Sequence, residues 1–280
     1  METDIKTGVF DLRCRLPDTS KAIVLRTEEY EALARTARAP TLMRNAAPTA
    51  TGRGERRRNH VLLFLAADSA YKAGQFELAV ALYDTAIMLN PRFEEAYGNR
   101  AIAKRKLGRE AQAEADYATA IALNSRDPLN YYNLANLHAD AKRWSAAESL
   151  ASIAVRLDST FGRAYVLRGE AAEDGRGAWQ QALADYSRAS DLSPTDVRTR
   201  FFRAMVFFKH NLLLQAERDV DACLALDSTY ANGLAMKGRI VQRRGNESAA
   251  RTLYSAALRY KDRLTCIDEP IVRRWMSEVR

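Results

Sequence analysis

The stretch YYNLANLHADAKRW, residues 131–144, sets Tyr131, Tyr132, Asn133, Asn136 and His138 within eight positions and ends on Trp144. Phenols, amides and an imidazole at this density can hydrogen-bond a ligand, and a histidine there can pass a proton. Such a cluster is either a polar site in an active centre or one unit of something repeated.

The other residue types that carry chemistry do not assemble around it. Cys14, Cys223 and Cys266 are far apart and lack CxxC spacing, so no zinc site is indicated. The run TGRGERRR has two glycines but neither a preceding strand nor the spacing of a phosphate loop, and no GxSxG or HExxH occurs. Carboxylate pairs such as Glu28–Glu29 and Glu94–Glu95 are adjacent in sequence and point to different sides of a helix. The expectation is a chain that is not an enzyme, with no catalytic residues, no metal, no cofactor and no small-molecule substrate.

Composition sets the outer bounds. Of 280 residues, 47% are hydrophobic and 28% charged, which is ordinary for a folded protein and excludes disorder as the description of the whole. No apolar run approaches the roughly 18 to 20 residues that cross a bilayer; HVLLFLAADSAY is short and soon carries Asp68. The first residues, METDIKTGVFD, are acidic where a targeting peptide is basic, so the expectation is no signal peptide and a cytoplasmic or other intracellular location. The net charge of +8 divides into +4 over residues 1–59 and +4 over the rest, so positive charge is denser at the N-terminal end.

Residues 1–38 differ from all that follows. GVFDLRCRLPD alternates Phe10, Leu12, Cys14 and Leu16 with Asp11, Arg13 and Arg15, the pattern of a half-buried strand. PDTS supplies a turn, KAIVLR a returning strand, and Thr27 an N-cap for a short helix through EEYEALARTAR. This extension is either a small β-hairpin with a helix, or disordered. Residues 39–59, APTLMRNAAPTATGRGERRRN, read as a flexible basic linker from their prolines and glycines.

From residue 60 onward the sequence repeats with a period of 34. With blocks at 60–93, 94–127, 128–161, 162–196, 197–230 and 231–264, the eighth position reads Ala67, Ala101, Ala135, Gly169, Ala204 and Gly238. The twentieth reads Ala79, Ala113, Ala147, Ala182, Ala216 and Ala250, and the twenty-seventh Ala86, Ala120, Ala154, Ala189, Cys223 and Ala257, with one residue inserted in the fourth block. Three columns of small residues at one spacing mark a true repeat. Each block has two helical patterns broken by a turn such as KAGQF or KLGRE and closed by LNP or LDS, which predicts one helical hairpin per block. Small residues are needed where two helices cross at about 8–10 Å. His138 and His210 then lie two repeats apart, on the order of 20 Å, and with His60 they are packing or surface residues. The closing segment DEPIVRRWMSEVR puts Ile271, Val272, Trp275, Met276 and Val279 on one stripe, and residues 265–280 are expected to form a capping helix.

These residues resemble the tetratricopeptide repeat (TPR) family. The first block fits through Ala67, Phe76, Ala79, Tyr83, Ala86 and Pro91, the third through Tyr131, Leu134, Ala135, Ala147 and Ala154, and the fourth through Tyr165, Gly169, Ala182, Tyr186, Ala189 and Pro194. The closing proline is replaced by Ser125, Ser159, Ser228 or Asp262 in four blocks, and position four of the fifth is Arg200. The resemblance covers about residues 60–264. It implies an all-α, right-handed α-α superhelix, a TPR solenoid of six helical hairpins plus the C-terminal cap helix.

The resemblance also implies a groove lined by positions two, five, six and nine of each first helix. The candidate peptide-binding residues there are Asn99, Tyr132, Asn133, Asn136, Arg163 and Arg198. The asparagines suit an extended peptide backbone, and the arginines suit acidic side chains or a carboxylate. The pattern of the chaperone-tail clamp known in the family is matched at only two of five positions, so that clamp is not expected. The resulting expectation is a non-catalytic scaffold or adaptor with a protein or peptide partner in the groove. The alternative is a protein that binds nucleic acid or an acidic surface through Arg53, Arg56, Arg57 and Arg58 and through basic helix faces. The runs KRK at 104–106 and RR at 243–244 and 273–274 otherwise read as solvated faces.

Overall fold

The computed structural model describes residues 53–279, and thirteen α-helices with one short 3-10 helix, and no strand, are found among the described residues. The strands and short helix expected within residues 1–38, and the linker before residue 53, lie outside them. Helix α1 (Arg53–Lys72) begins inside the segment read as linker, so the basic run there is helical. Arginine and glutamate favour helix, and Gly54 falls in the first turn, where the N–H has no intrahelical partner to lose.

The chain divides into two compact units, residues 53–141 and 142–279 among those described. In the first, α1 packs on α2 (Phe76–Leu89), α3 (Glu94–Lys106) packs on α4 (Glu110–Leu123), α2 meets α3, and α4 meets α5 (Pro128–Asp140). Its core gathers Leu63, Ala67, Tyr71, Leu82, Tyr83 and Ala103. In the second, α6 (Trp144–Leu157) packs on α7 (Gly162–Arg176), which pairs with α8 (Trp179–Leu192). The pairs α9 (Val197–Lys209) with α10 (Leu213–Leu226) and α11 (Ala231–Arg243) with α12 (Glu247–Arg259) follow, and α13 (Glu269–Ser277) packs on α12. The core of this unit is larger in side chain, with Tyr186, Phe201, Phe202, Met236, Tyr254 and Trp275.

The turn inside each repeat has one backbone cause. Gly74, Gly108, Lys142, Gly177, Asn211 and Gly245 have φ of 76°, 70°, 57°, 68°, 60° and 84°, and they fall at one register of all six repeats. A left-handed residue ends the first helix of each repeat and turns the chain toward the second, which is why glycine holds four of the six places. The turn leading to the next repeat is set by a side chain. Asn90, Asn124, Asp158 and Asp227 each accept a hydrogen bond from the backbone N–H two residues on, at 3.2, 3.1, 2.8 and 2.9 Å.

The column of small residues at position eight meets the tyrosine of the paired helix. A Cβ added to Gly169 would stand 3.2 Å from Tyr186 Cε1, and one added to Gly238 only 2.6 Å from Tyr254 Cε1. Tyr254 is fully buried and has nowhere to move. Gly238→Ala should therefore destabilise the C-terminal unit by about 1–2 kcal/mol, the overpacking cost less the gain in helix propensity; an unchanged midpoint in urea unfolding would contradict this.

A second column joins the hairpins by charge. Arg100, Arg168 and Arg203, at position seven, each fork onto an aspartate of the paired helix: Asp116 at 2.8 and 2.6 Å, Asp185 at 2.9 and 2.6 Å, and Asp219 at 2.7 and 2.6 Å. Arg100 also reaches Asp84 of the preceding repeat at 2.6 Å, and Arg203 reaches Ser187 at 2.9 Å, so the same residue registers one hairpin against the one before it. In the other three repeats the aspartate position is Leu82, Leu150 or Leu253.

The C-terminal helix α13 buries Val272 and Trp275, and Val279 just beyond it is buried too. The segment leading to it is held by Asn232, whose Oδ1 accepts from the backbone N–H of Thr265, Cys266 and Ile267 at 3.3, 3.1 and 3.1 Å. No described helix is long and apolar enough to cross a membrane.

Candidate functional site

The candidate residues lie on the first helices of the repeats, and each unit carries its own set. In the N-terminal unit Asn99 of α3 turns toward α1, where its Nδ2 donates to Asp68 Oδ1 at 3.1 Å. The Tyr83 hydroxyl, from α2, donates to the same oxygen. Asp68 is 2% exposed, and its Oδ2 has no hydrogen-bond partner. Burial pushes this carboxyl up to about 6, against the opposing pull of the Tyr83 and Asn99 hydrogen bonds and the Lys72 charge. Asn99 thus stands on a buried acid instead of being an open amide, and part of its donor capacity is spent.

On α5 the three candidates have three different fates. Tyr132 is fully buried, so it packs and does not present a surface to a ligand. Asn136 donates from Nδ2 to the Tyr132 carbonyl, one turn back on its own helix, at 3.0 Å. Asn133 is 7% exposed, and its amide makes no hydrogen bond among the described residues. It is the one candidate asparagine whose pairing capacity is uncommitted.

The junction between α3 and α5 is acidic and closely packed. Asn130 Nδ2 donates to Glu94 and, at 3.0 Å, to Asp127 Oδ2, while a Cβ added to Gly98 would meet Asn130 Oδ1 at 2.9 Å. Burial pushes the Glu94 carboxyl up to about 7; the Asn130 hydrogen bond opposes it, and the charges of Asp127 and Glu95 add to it. Gly98 is therefore a position where the lack of a side chain leaves room for the Asn130 amide.

In the C-terminal unit Arg163 is exposed, its guanidinium 5.8 Å from the Phe161 ring centroid. Arg198 is held close to home: Nε and an Nη donate to the two carboxylate oxygens of Asp196, both at 3.0 Å. Asp196 is also the N-cap of α9, accepting from the Arg198 N–H at 3.0 Å. The ion pair was readable in the sequence, since an aspartate at an N-cap two residues before an arginine suits both contacts.

The backbone places Arg53, Arg56, Arg57 and Arg58 in the first turn and a half of α1. The histidines pack. His60 meets Phe93 edge-on with centroids 4.9 Å apart, His210 stacks on Trp179 at 4.5 Å, and His138 Nε2 lies 3.7 Å from Glu114 Oε1. Most of the basic runs are paired: Lys104 with Asp116 at 2.8 Å, Arg105 with Asp140 at 2.7 Å, Arg244 with Glu217 at 2.5 Å and Arg273 with Glu269 at 2.6 Å.

Helical hairpins of 34-residue period, with small residues at the crossings and a left-handed turn in each, define a helical-repeat protein built by stacking one motif. Solved tetratricopeptide repeat (TPR) structures share this fold. PilF of Pseudomonas aeruginosa superposes with a TM-score of 0.67 at 16% identity, covering 80% of this chain and 99% of that one. A tetratricopeptide repeat protein from Parabacteroides merdae gives 0.59 at 16% identity, covering 90% and 98%. YrrB, described as a TPR protein with an unusual peptide-binding site, gives 0.54 at 20% identity, covering 69% and 96%. At these identities the likeness is one of fold. No family model matches the sequence, and no curated protein sequence matches it either.

Proposed function

We propose that this protein is a non-catalytic interaction scaffold that holds an extended peptide or a protein surface against the first helices of its hairpins. The observation that carries the proposal is Asn133, an amide fixed by a packed helix and uncommitted to any described residue. A peptide backbone offers an N–H and a C=O to such an amide, and a repeat spacing of about 8–10 Å corresponds to roughly three residues of extended chain. In the C-terminal unit exposed Arg163 offers its own contact for an acidic side chain, whereas Arg198 is already paired with Asp196. The TPR fold is in keeping with this role, as YrrB's described peptide-binding site illustrates.

Selection of displayed random peptides on the purified full chain tests it. Peptides enriched on the wild type should bind the Asn133→Ala, Arg163→Ala double variant at least about tenfold more weakly, the loss of one or two hydrogen bonds, with no change in thermal midpoint. Equal binding by the double variant, or no enrichment at all, counts against the proposal.

A second reading follows from the start of α1 at Arg53, which gathers Arg53, Arg56, Arg57 and Arg58 on one helical end. Such a cluster suits nucleic acid or an acidic surface. Binding through phosphates would weaken steeply with salt, and Arg57→Glu, Arg58→Glu would abolish it, whereas peptide capture would lose much less.

A further inference from the structure

We propose that the C-terminal unit carries an anchor for a single acidic side chain of the bound segment, centred on Arg243 where the ends of α9 and α11 meet. This rests on the scaffold reading above and names the chemistry of its ligand. Arg243 lies in the last turn of α11, and its guanidinium sits 4.4 Å from the centroid of Phe208, on α9. A guanidinium seated over an aromatic ring keeps its N–H donors for a further partner, and a carboxylate is the group that can take two of them in parallel. Arg243 is exposed.

Its neighbours are all answered, and it is not. Arg239 pairs with Glu278 at 2.6 Å and with Gln242 at 2.9 Å, and lies over Trp275. Arg244 pairs with Glu217, Lys237 with Asp221 at 2.5 Å, and Lys209, next to Phe208, with Glu173 at 2.9 Å. Among the described residues no carboxylate pairs with Arg243. Burial, and then the nearby Arg239 charge, holds its pKa below the usual arginine value. Burial is the larger cause, and a carboxylate hydrogen-bonded to the guanidinium would offset it.

The same neighbours decide between an acidic peptide and a nucleic acid. A phosphate backbone presents charge continuously and needs a row of open cations. Here the flanking cations are already neutralised by Glu278, Glu217 and Glu173, whose carboxylates would repel a polyanion. One acidic residue in an otherwise uncharged segment fits.

Display selection on the full chain, run in parallel on wild type and Arg243→Glu, tests the inference. Wild type should enrich peptides with Asp or Glu at one position, and Arg243→Glu should lose that preference or replace it by Lys or Arg. Binding of a wild-type-selected peptide should weaken about tenfold in Arg243→Met, which keeps the stem over Phe208, and recover in part in Arg243→Lys. Thermal midpoints confirm that each variant is folded. Unchanged preferences in Arg243→Glu, with binding still lost in Asn133→Ala, Arg163→Ala, overturn the anchor and leave the scaffold reading standing. Enrichment of nothing by the wild type overturns both. Displacement of the selected peptide by a 20-base-pair DNA duplex, at equal potency on wild type and Arg243→Met, overturns the anchor in favour of another site.

Discussion

Asp185→Leu should destabilise the C-terminal unit by about 3–5 kcal/mol, while adding Arg168→Leu to it should restore most of the loss. The Asp185 side chain is 3% exposed and that of Arg168 20%, and the two form a fork of two hydrogen bonds at 2.9 and 2.6 Å. Removing the acid alone leaves a largely buried guanidinium whose remaining described contact is the Tyr165 ring, 5.3 Å away. Desolvation of that charge is then uncompensated, and this is the main part of the cost. Removing both partners takes away the charge and its desolvation together. Two of the three repeats without the aspartate supply the precedent: the third has Leu150 with Leu134 at the arginine position and the first Leu82 with Ala66, whereas the sixth keeps Lys237 opposite Leu253 and pairs it with Asp221. Urea unfolding of both variants measures the two values. A double variant as unstable as the single one would mean that the pair contributes net stability beyond its mutual compensation.

That alternation also marks how far the sequence could be read. Period, hairpins and crossings were legible because they rest on local rules: small residues where helices touch, and a glycine or asparagine where φ must be positive. The ion-pair column was present in the same alignment of repeats, as Arg100, Arg168 and Arg203 against Asp116, Asp185 and Asp219, but only the folded hairpin brings positions sixteen or seventeen residues apart into contact. The groove residues were legible as positions and not as states. Asn99 occupies a groove position in the sequence, yet its partner Asp68 lies 31 residues earlier on a different helix. Arg243 and Arg244 look alike as a dipeptide; one faces Glu217 and the other Phe208, a difference that one residue of helical rotation produces.

Asp68 gives the second large effect, and its sign is opposite to that of most carboxylates. Its folded pKa of about 6 stands above the ordinary 3.8, so the folded chain holds the proton more tightly than the unfolded chain does. The contribution of this group to stability is fullest below pH 3.8, falls as pH rises from there through 6, and is flat above. A shift of that size corresponds to roughly 3 kcal/mol lost between pH 4 and pH 7. Glu94, pushed up to about 7, acts in the same direction in the same unit. Asp68→Asn removes the buried charge while keeping an oxygen for the Tyr83 hydroxyl and the Asn99 amide. The variant should exceed the wild type in stability by on the order of 1–3 kcal/mol at pH 7.5 and lose that advantage by pH 4. Parallel stability curves for the two proteins across that range would show that Asp68 titrates as an ordinary carboxyl. Because the added proton goes to Oδ2, Oδ1 keeps both of its donors, and Asn99 should stay seated on Asp68 in either state. Peptide capture through Asn133 should then hold steady from pH 5 to 8 while the stability of the helices beneath it changes.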